Sequence, residues 1–193
     1  MFAEAAEVPA IVAAQLRDNA DIIAQAVERL RAHPPTLALI CGRGSSDNAG
    51  VYARYLIETQ TGVMTSPAPL AISSVYGVSP RVAGGVCLAI SQSGKSPDLV
   101  AAASTARAGG AFVIALVNAE GSPLAEVADI TIPLRAGPEL SVAATKSFIT
   151  SLTAIAHLVA EWSGDAELKA GLAALPGQLA AAWKQDCRPP CPC

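Results

Sequence analysis

Aromatic residues are scarce in this sequence, and charged residues are few. Phe, Trp and Tyr make up 4% of the 193 residues and Asp, Glu, Lys and Arg 15%, whereas 52% are hydrophobic. The apolar content is therefore mostly Ala, Val, Ile and Leu, which favours helices packed on buried parallel strands over an aromatic-rich β-sandwich. A chain of this length fits one domain with a well-buried core.

Basic clusters and long apolar runs are also missing. The formal net charge is −3, and without a basic patch a nucleic-acid partner is not expected. The first residues include Glu4 and Glu7 and lack the basic and apolar segments of a signal peptide. The most apolar stretch, residues 147–160, is too short to span a bilayer. We therefore expect a cytoplasmic protein without a membrane partner.

The cysteines offer little for a metal site or a disulfide framework. Cys41 and Cys87 lie in apolar, strand-like runs, where small buried thiols are common. The other three crowd into the C-terminal tail, at Cys187, Cys191 and Cys193. Three thiolates could bind a soft metal if they met, but zinc needs four ligands and no histidine lies nearby. We expect neither a metal nor another cofactor.

Strand-like and helix-like segments alternate along the chain. Apolar positions from Val8 to Leu30 repeat at helical spacing, and the prolines at positions 34 and 35 end this segment. Five strands are predicted after it, over residues 36–41, 63–66, 86–90, 112–117 and 130–134. Helices are predicted between and after them, over residues 46–61, 97–108, 122–128 and 142–162, with a weaker one to about residue 183.

This alternation predicts an α/β fold. Strands separated by helices form parallel sheets through right-handed crossovers, with helices on both faces. We expect a three-layer αβα sandwich around a five-stranded parallel sheet of flavodoxin-like order. The expected organisation is an N-terminal helical segment (1–35), a core domain (36–165) and a C-terminal helix with a Cys- and Pro-rich tail (166–193). Ligands of such sheets bind beyond the carboxyl ends of the strands.

Two polar loops follow the first and third predicted strands. After the first, glycines at 42 and 44 precede Ser45 and Ser46 at the start of a helix, where free N–H groups attract anions. Serines also cap helices for structural reasons alone. The loop after the third strand offers three hydroxyls and an amide, at Ser91, Gln92, Ser93 and Ser96. The two loops face one crevice in a flavodoxin-like order and could hold a phosphate monoester.

A P-loop is the rival interpretation, because residues 89–96 match a relaxed form of that motif. Alanine stands at its first position, where the strict pattern has glycine. A nucleotide hydrolase also needs an acidic residue at the end of a strand to hold Mg²⁺. The predicted strands end instead in Asn118 and Leu134, and Asp129 precedes its strand. This alternative is therefore remote.

A third loop, residues 135–146, follows the fifth strand. Glu139 could transfer protons there, or it could cap the next helix or pair with Arg135 or Lys146, which we favour. His33 stands beside prolines and His157 in an apolar helix, so neither is a strong catalytic candidate.

These motifs together resemble the SIS (sugar isomerase) family. Ser-Gln-Ser-Gly-x-Ser matches residues 91–96, Ala-Gly-Pro-Glu…Val-Ala-x-Thr-Lys matches residues 136–146, and Gly-Ser-Ser matches residues 44–46. Their order is similar to that in the isomerase half of glucosamine-6-phosphate synthases. The start at residues 4–9 and the Arg-Gly-Ser-Ser-Asp turn are closer still to stand-alone SIS-type glucosamine-6-phosphate deaminases.

The resemblance implies a phosphosugar ligand. It implies that the phosphate is bound by Ser46, Ser91, Ser93 and Ser96, with Gln92 helping, Ser45 in the same turn and the Val142 backbone on the sugar. Ala144 stands where the synthases have a serine that touches the sugar, which loosens the substrate assignment. Complete enzymes of this kind carry two SIS domains, and the second holds the glutamate, histidine and lysine of catalysis, so no catalytic residue is assigned here.

The predicted function is therefore phosphosugar binding in a hexosamine-phosphate isomerase or deaminase that acts on glucosamine-6-phosphate or fructose-6-phosphate. The alternatives are a module that senses a phosphosugar without turnover and a truncated half-enzyme. SIS domains usually pair, and the long apolar helix over residues 142–162 offers a surface for that, so we expect a homodimer.

Overall fold

The computed structural model describes residues 2–140 and 143–185. Two helices open the chain, α1 (Phe2–Asp18) and α2 (Ala20–Ala32). Strands and helices then alternate: β1 (Ala38–Cys41), α3 (Ser45–Thr61), β2 (Thr65–Pro67), α4 (Leu70–Ser74), β3 (Val86–Ser91), α5 (Pro97–Ala108), β4 (Phe112–Val117), α6 (Pro123–Val127) and β5 (Ile130–Pro133). Helices α7 (Lys146–Ser163) and α8 (Ala166–Trp183) follow.

The five strands form one parallel sheet in the order β2-β1-β3-β4-β5. This confirms the predicted flavodoxin-like αβα sandwich. Successive strand residues face opposite sides of the sheet, so Ile40 and Leu88 pack in the layer of α2, α3 and α7, whereas Leu39 and Cys87 pack in the layer of α5 and α6. Every residue of β1 and β3 is buried, as expected for parallel strands covered on both faces.

The N-terminal helical segment is divided, although its apolar periodicity predicted one helix through Leu30. The break falls at Asn19, which is buried. Its amide Nδ2 donates to the Pro133 carbonyl (2.7 Å) and its Oδ1 accepts from Arg135 Nε (2.7 Å). A buried amide needs such partners, and they tie the junction of α1 and α2 to the end of β5.

Smaller differences from the predicted elements concern one additional helix and the ends of several segments; β1, for example, begins at Ala38 rather than at residue 36. The connection after β2 contains the short helix α4, and β2 itself lies one to two residues later than predicted. Helix α7 begins at Lys146 rather than at residue 142.

The prediction that α7 offers a surface for the pairing of two copies is wrong. This helix lies beneath α1, α2, α3 and α8, and its apolar side chains, among them Ile155 and Leu158, are buried within the chain. A face already covered in this way cannot also serve as the contact between two copies.

Cys41 and Cys87 are buried free thiols on adjacent strands, with Sγ atoms 3.6 Å apart. Their hydrogen bond and their burial raise the pKa of the Cys41 thiol well above its ordinary value. The cysteines of the tail lie outside the described residues. Within residues 2–140 and 143–185, no cluster of three or more His, Cys, Asp and Glu side chains could hold a metal ion. In the same part of the chain, no helix combines the length and the apolar character that crossing a membrane requires.

Candidate functional site

The loops after β1 and β3 meet at the carboxyl edge of the sheet, beside the start of α7. They enclose a cavity of about 170 Å³, which we call the carboxyl-edge cavity. Six predicted site residues line it together: Ser45, Ser46, Ser91, Gln92, Ser93 and Ser96. The seventh, Val142, lies outside the described residues. The structure also brings Arg43, Ser147 and Ser151 to the cavity, three polar residues that the sequence reasoning missed.

Loop 91–96 owes its shape to Gly94, which has a φ of +62°. A Cβ at this position would collide with Ser122 Oγ and lie 2.9 Å from a methyl group of Val117. The Gly94 N–H donates to Ser91 Oγ (3.0 Å), and the Lys95 N–H donates to Ser93 Oγ (3.3 Å). These two hydrogen bonds stabilise the conformation of the loop. Ser93 is exposed, and Ser91 is buried at the cavity wall.

The loop after β1 is equally compact. A Cβ on Gly42 would lie 2.7 Å from the Ser46 carbonyl oxygen, and Gly44 has a φ of +56°. The turn leads directly into α3, whose first residues are Ser45 and Ser46. Helix α5 likewise begins immediately after Ser96. Two helix N-termini therefore start beside the cavity, and the partial positive charge of each favours an anion there.

Arg43 is the one ionisable side chain among the described residues that line the cavity. Its Nη1 lies 2.9 Å from Asp98 Oδ2, in the first turn of α5, and its side chain remains 63% exposed. The ion pair orients the guanidinium without enclosing it. A guanidinium beside several hydroxyls suits an oxyanion such as a phosphate. A charged residue between two glycines was the sequence signal for this role.

Glu139 caps helix α7, which is one of the roles that the sequence analysis favoured over proton transfer. Its carboxylate accepts from the backbone N–H groups of Thr145 (2.7 Å) and Lys146, and from Ser147 Oγ. Because Ser147 lines the cavity, the cap also fixes part of the cavity wall. Lys146 is buried and pairs not with Glu139 but with Glu7, Nζ to Oε2 2.8 Å.

The remaining candidates lie elsewhere. His33 and His157 do not line the cavity, and burial lowers the pKa of His157, which lies in α7. Asp129 stands at the opposite edge of the sheet, where it accepts from the Val113 N–H (2.8 Å) and pairs with Arg107 (3.0 Å). It cannot serve a metal ion at loop 91–96, so the P-loop interpretation receives no support.

Comparison with known proteins gives a family match and several relatives. The family model of the SIS domain matches residues 36–161. The chain is 38% identical over 145 residues to the glutamine–fructose-6-phosphate aminotransferase [isomerizing] of Zymomonas mobilis, covering 74% of this chain and 22% of that protein. It is 39% identical over 129 residues to the same aminotransferase of Aeropyrum pernix, covering 66% and 21%. The alignments thus span about a fifth of these curated relatives.

Solved structures give a longer match. A Silicibacter pomeroyi protein, provisionally described as a phosphosugar isomerase, superposes with a TM-score of 0.92 and 43% identity, over 94% of this chain and 56% of that one. The C-terminal domain of the Francisella tularensis glucosamine-fructose-6-phosphate aminotransferase superposes with a TM-score of 0.74 and 26% identity, over 93% and 52%.

Proposed function

Since this chain belongs to the SIS domain family, we propose that it binds a phosphosugar as part of a hexosamine-phosphate isomerase or deaminase. The proposed substrates are glucosamine-6-phosphate and fructose-6-phosphate; the names of the aminotransferase relatives support the second. The observation that carries the proposal is the carboxyl-edge cavity, where six side chains selected from sequence motifs surround one space.

The phosphate would bind to neutral donors and one cation. The hydroxyls of the cavity and the N-termini of α3 and α5 supply donors and partial positive charge without the large desolvation cost of burying several cations. Arg43 adds a full charge at the rim, where Asp98 holds it. Hydrogen bonds to a charged group contribute about 1.5–3 kcal/mol each. A few of them are enough to favour a sugar phosphate over the unphosphorylated sugar.

Turnover needs a group that moves a proton between C1 and C2 of the open-chain sugar. No carboxylate is present among the described residues that line the cavity, and Glu139 has its oxygens engaged by the start of α7. We therefore propose that the described residues bind the ligand and that the proton-transferring group comes from a second SIS domain. The same observation favours the second candidate, a phosphosugar-sensing module or a half-enzyme.

Calorimetric titration of the purified chain tests the proposal. Glucosamine-6-phosphate, fructose-6-phosphate and unphosphorylated glucosamine are compared on the unmodified chain, on Ser93→Ala and on Ser104→Ala. Ser104 is an exposed serine of α5 outside the cavity and serves as the matched control. We expect only the sugar phosphates to bind, and only Ser93→Ala to weaken them.

Ammonia release, assayed on the same samples, tests whether the proton-transferring group lies in this chain. Release that Ser93→Ala abolishes would establish a deaminase within this chain and would overturn the assignment of that group to a second SIS domain. Binding without release is expected if the group lies in a second SIS domain or if the domain only senses the sugar phosphate. If neither sugar phosphate binds, the cavity is not a phosphosugar site.

We also propose a homodimer that forms through α3 instead of α7. Val51, Tyr52 and Tyr55 are exposed on this helix at i, i+1 and i+4 spacing, and such an apolar patch is typical of a protein contact. Tyr55→Glu is expected to yield monomers in light scattering. Tyr76→Glu changes a tyrosine of equal exposure, 72%, outside α3 and is expected to leave the dimer intact.

The setting that we propose is the cytoplasm. Cys41 and Cys87 remain free thiols although their sulfur atoms lie 3.6 Å apart, and such thiols are typical of reducing compartments. Fractionation of cells with an antibody against this chain would test the placement.

A further inference from the structure

A second cavity, of about 360 Å³, lies at the amino edge of the sheet, where β3 and β4 begin. We call it the amino-edge cavity. Both helix layers contribute to its walls: Arg29 and His33 come from the end of α2, and Arg107 comes from the end of α5. Its floor is formed by residues 84–86 and 110–112. Among the described residues, none lines both this cavity and the carboxyl-edge cavity.

The two arginines are held in place but keep donors available. The Arg29 guanidinium carbon lies 4.9 Å from the centre of the Phe112 ring. Arg107 Nε donates to Asp129 Oδ1 (3.0 Å), and Asp129 is itself fixed by the Val113 N–H. Within the described part of the chain, neither guanidinium makes a further hydrogen bond or ion pair. Arginine carries five N–H donors, so most of them are free for a ligand.

Three of the six floor residues, Gly84, Gly85 and Gly110, carry no side chain. Gly84 has a φ of +73° and Gly110 a φ of +86°, a conformation that other residues adopt only with strain. A Cβ on Gly85 would lie 2.9 Å from the Leu37 carbonyl oxygen. Leu30 and Pro35 add apolar wall next to the Phe112 ring. The cavity therefore combines exposed guanidinium donors with an open, partly apolar base.

The charged side chains among the described lining residues favour an anion. Arg29 and Arg107 stand against Asp129, which leaves one net positive charge, and this charge acts against the C-terminal ends of α2 and α5, which repel anions. Arginine binds carboxylates and phosphates through two parallel hydrogen bonds. We propose that the amino-edge cavity binds a small organic oxyanion with an apolar body, its phosphate or carboxylate group on Arg29 and Arg107 and its body against Phe112.

Residue-resolved NMR tests this site separately from the phosphosugar site. The full chain, labelled with ¹⁵N, is titrated with phenyl phosphate, benzoate and inorganic phosphate. We expect saturable shifts of the Gly84, Gly85 and Gly110 amides with the two aromatic anions, and weaker ones with inorganic phosphate. These shifts persist in Ser93→Ala, whose effect is confined to the carboxyl-edge cavity. The tighter of the two aromatic anions identifies the preferred oxyanion.

Charge-removing variants identify the groups that bind. Arg29→Gln and Arg107→Gln are each expected to weaken phenyl phosphate about tenfold. Arg81→Gln removes an exposed arginine outside the cavity and is expected to change nothing. If Arg107→Gln unfolds through loss of the Asp129 pair, the result for Arg29→Gln decides alone, because the Arg29 side chain makes no hydrogen bond to the described residues.

Three results would overturn the proposal. The first is the absence of saturable shifts at the three glycines. The second is equal weakening by Arg81→Gln. The third is inorganic phosphate binding as tightly as phenyl phosphate, which would remove the apolar part of the ligand. In the first two cases the arginines serve only the C-terminal ends of α2 and α5, where cations are favoured by the helix dipole.

Discussion

The two edges of the sheet differ in the groups that they offer to an anion. Helices that connect parallel strands begin at the carboxyl edge and end at the amino edge, as α3 and α5 do here. The carboxyl-edge cavity therefore lies beside helix N-termini, and the amino-edge cavity beside helix C-termini, which repel anions. Among the described lining residues, the first cavity has neutral hydroxyls and one arginine, and the second has two arginines.

Binding at the two proposed sites is therefore expected to depend on different physical properties. Donors at the carboxyl edge are fixed by tight loops, so binding there depends on backbone geometry at positions such as Gly94. Donors at the amino edge sit on long, exposed side chains, so binding there depends on charge. Substitutions that disturb the backbone should therefore weaken binding most at the carboxyl edge. Substitutions that remove charge should weaken it most at the amino edge.

Gly94→Ala is expected to have the largest effect. A side chain at φ +62° is strained by about 1–3 kcal/mol, and its Cβ would also collide with Ser122 Oγ. We expect lower stability in urea, complete loss of sugar-phosphate binding in calorimetry, and unchanged amino-edge shifts in NMR. Gly62→Ala is the control, because Gly62 has a similar φ, +71°, with no heavy atom within 4 Å of the added Cβ. Gly94→Ala with normal affinity would show that the loop geometry is not needed.

Arg43→Gln is expected to weaken fructose-6-phosphate about tenfold, because one charge-assisted contact is lost. Arg43→Lys keeps the charge but not the planar donors, and is expected to recover only part of the affinity. Asp98→Asn releases the guanidinium from its partner 2.9 Å away and tests whether that pair positions it. Equal affinity in Arg43→Gln and in the unmodified chain would leave the carboxyl edge with neutral donors alone.

Glu139→Ala is expected to cost about 1 kcal/mol of stability, as the loss of a helix cap does. Asp165→Ala is the matched control, since Asp165 caps α8 through the Leu168 N–H (2.7 Å) away from the cavity. Both variants should unfold at lower urea concentration. Only Glu139→Ala should also weaken the sugar phosphate, because Ser147 loses its partner at the cavity wall. A drop in affinity with both would show that general destabilisation, and not the cap, lowers binding.

The fold could be predicted from the sequence because its strands are short apolar runs between strong helix signals. Pro97 and Gly109 mark the ends of α5, and the predicted span, 97–108, is the observed one. The break at Asn19 could not be predicted, because the apolar periodicity runs through it. Only the tertiary partners of the Asn19 amide, Pro133 and Arg135, separate the two helices. Similarly, the sequence shows that α7 is apolar, but it does not show that α1, α2, α3 and α8 cover this helix.

The candidate site was predictable where local motifs carry it. Loop 91–96 follows a buried strand and precedes a helix, so its position at the carboxyl edge followed from the topology. Ser147 and Ser151 were missed because they lie within an apolar helix. Their spacing along the sequence is the same as that of the core residues of this helix. Arg43 was visible in the sequence, but its part in the cavity depends on Asp98, 55 positions away. The amino-edge cavity joins the ends of α2 and α5 to the starts of β3 and β4, and no single motif marks it.

Salt is expected to change affinity less than any of the substitutions above. It nevertheless distinguishes the two cavities most directly. Ions screen exposed charges over about 8 Å at physiological ionic strength, whereas fixed hydroxyls and N–H groups at close range are screened much less. Between 0.05 and 0.5 M NaCl, we expect the Kd of phenyl phosphate at the amino edge to rise about fivefold and that of fructose-6-phosphate at the carboxyl edge about twofold. Both ligands carry the same phosphate charge, so the comparison isolates the sites. In Arg43→Gln the salt dependence at the carboxyl edge should nearly vanish, since the one cation among the described lining residues is gone. An equal rise at both edges would mean that full charges dominate at each, and the contrast between neutral and charged donors would fail.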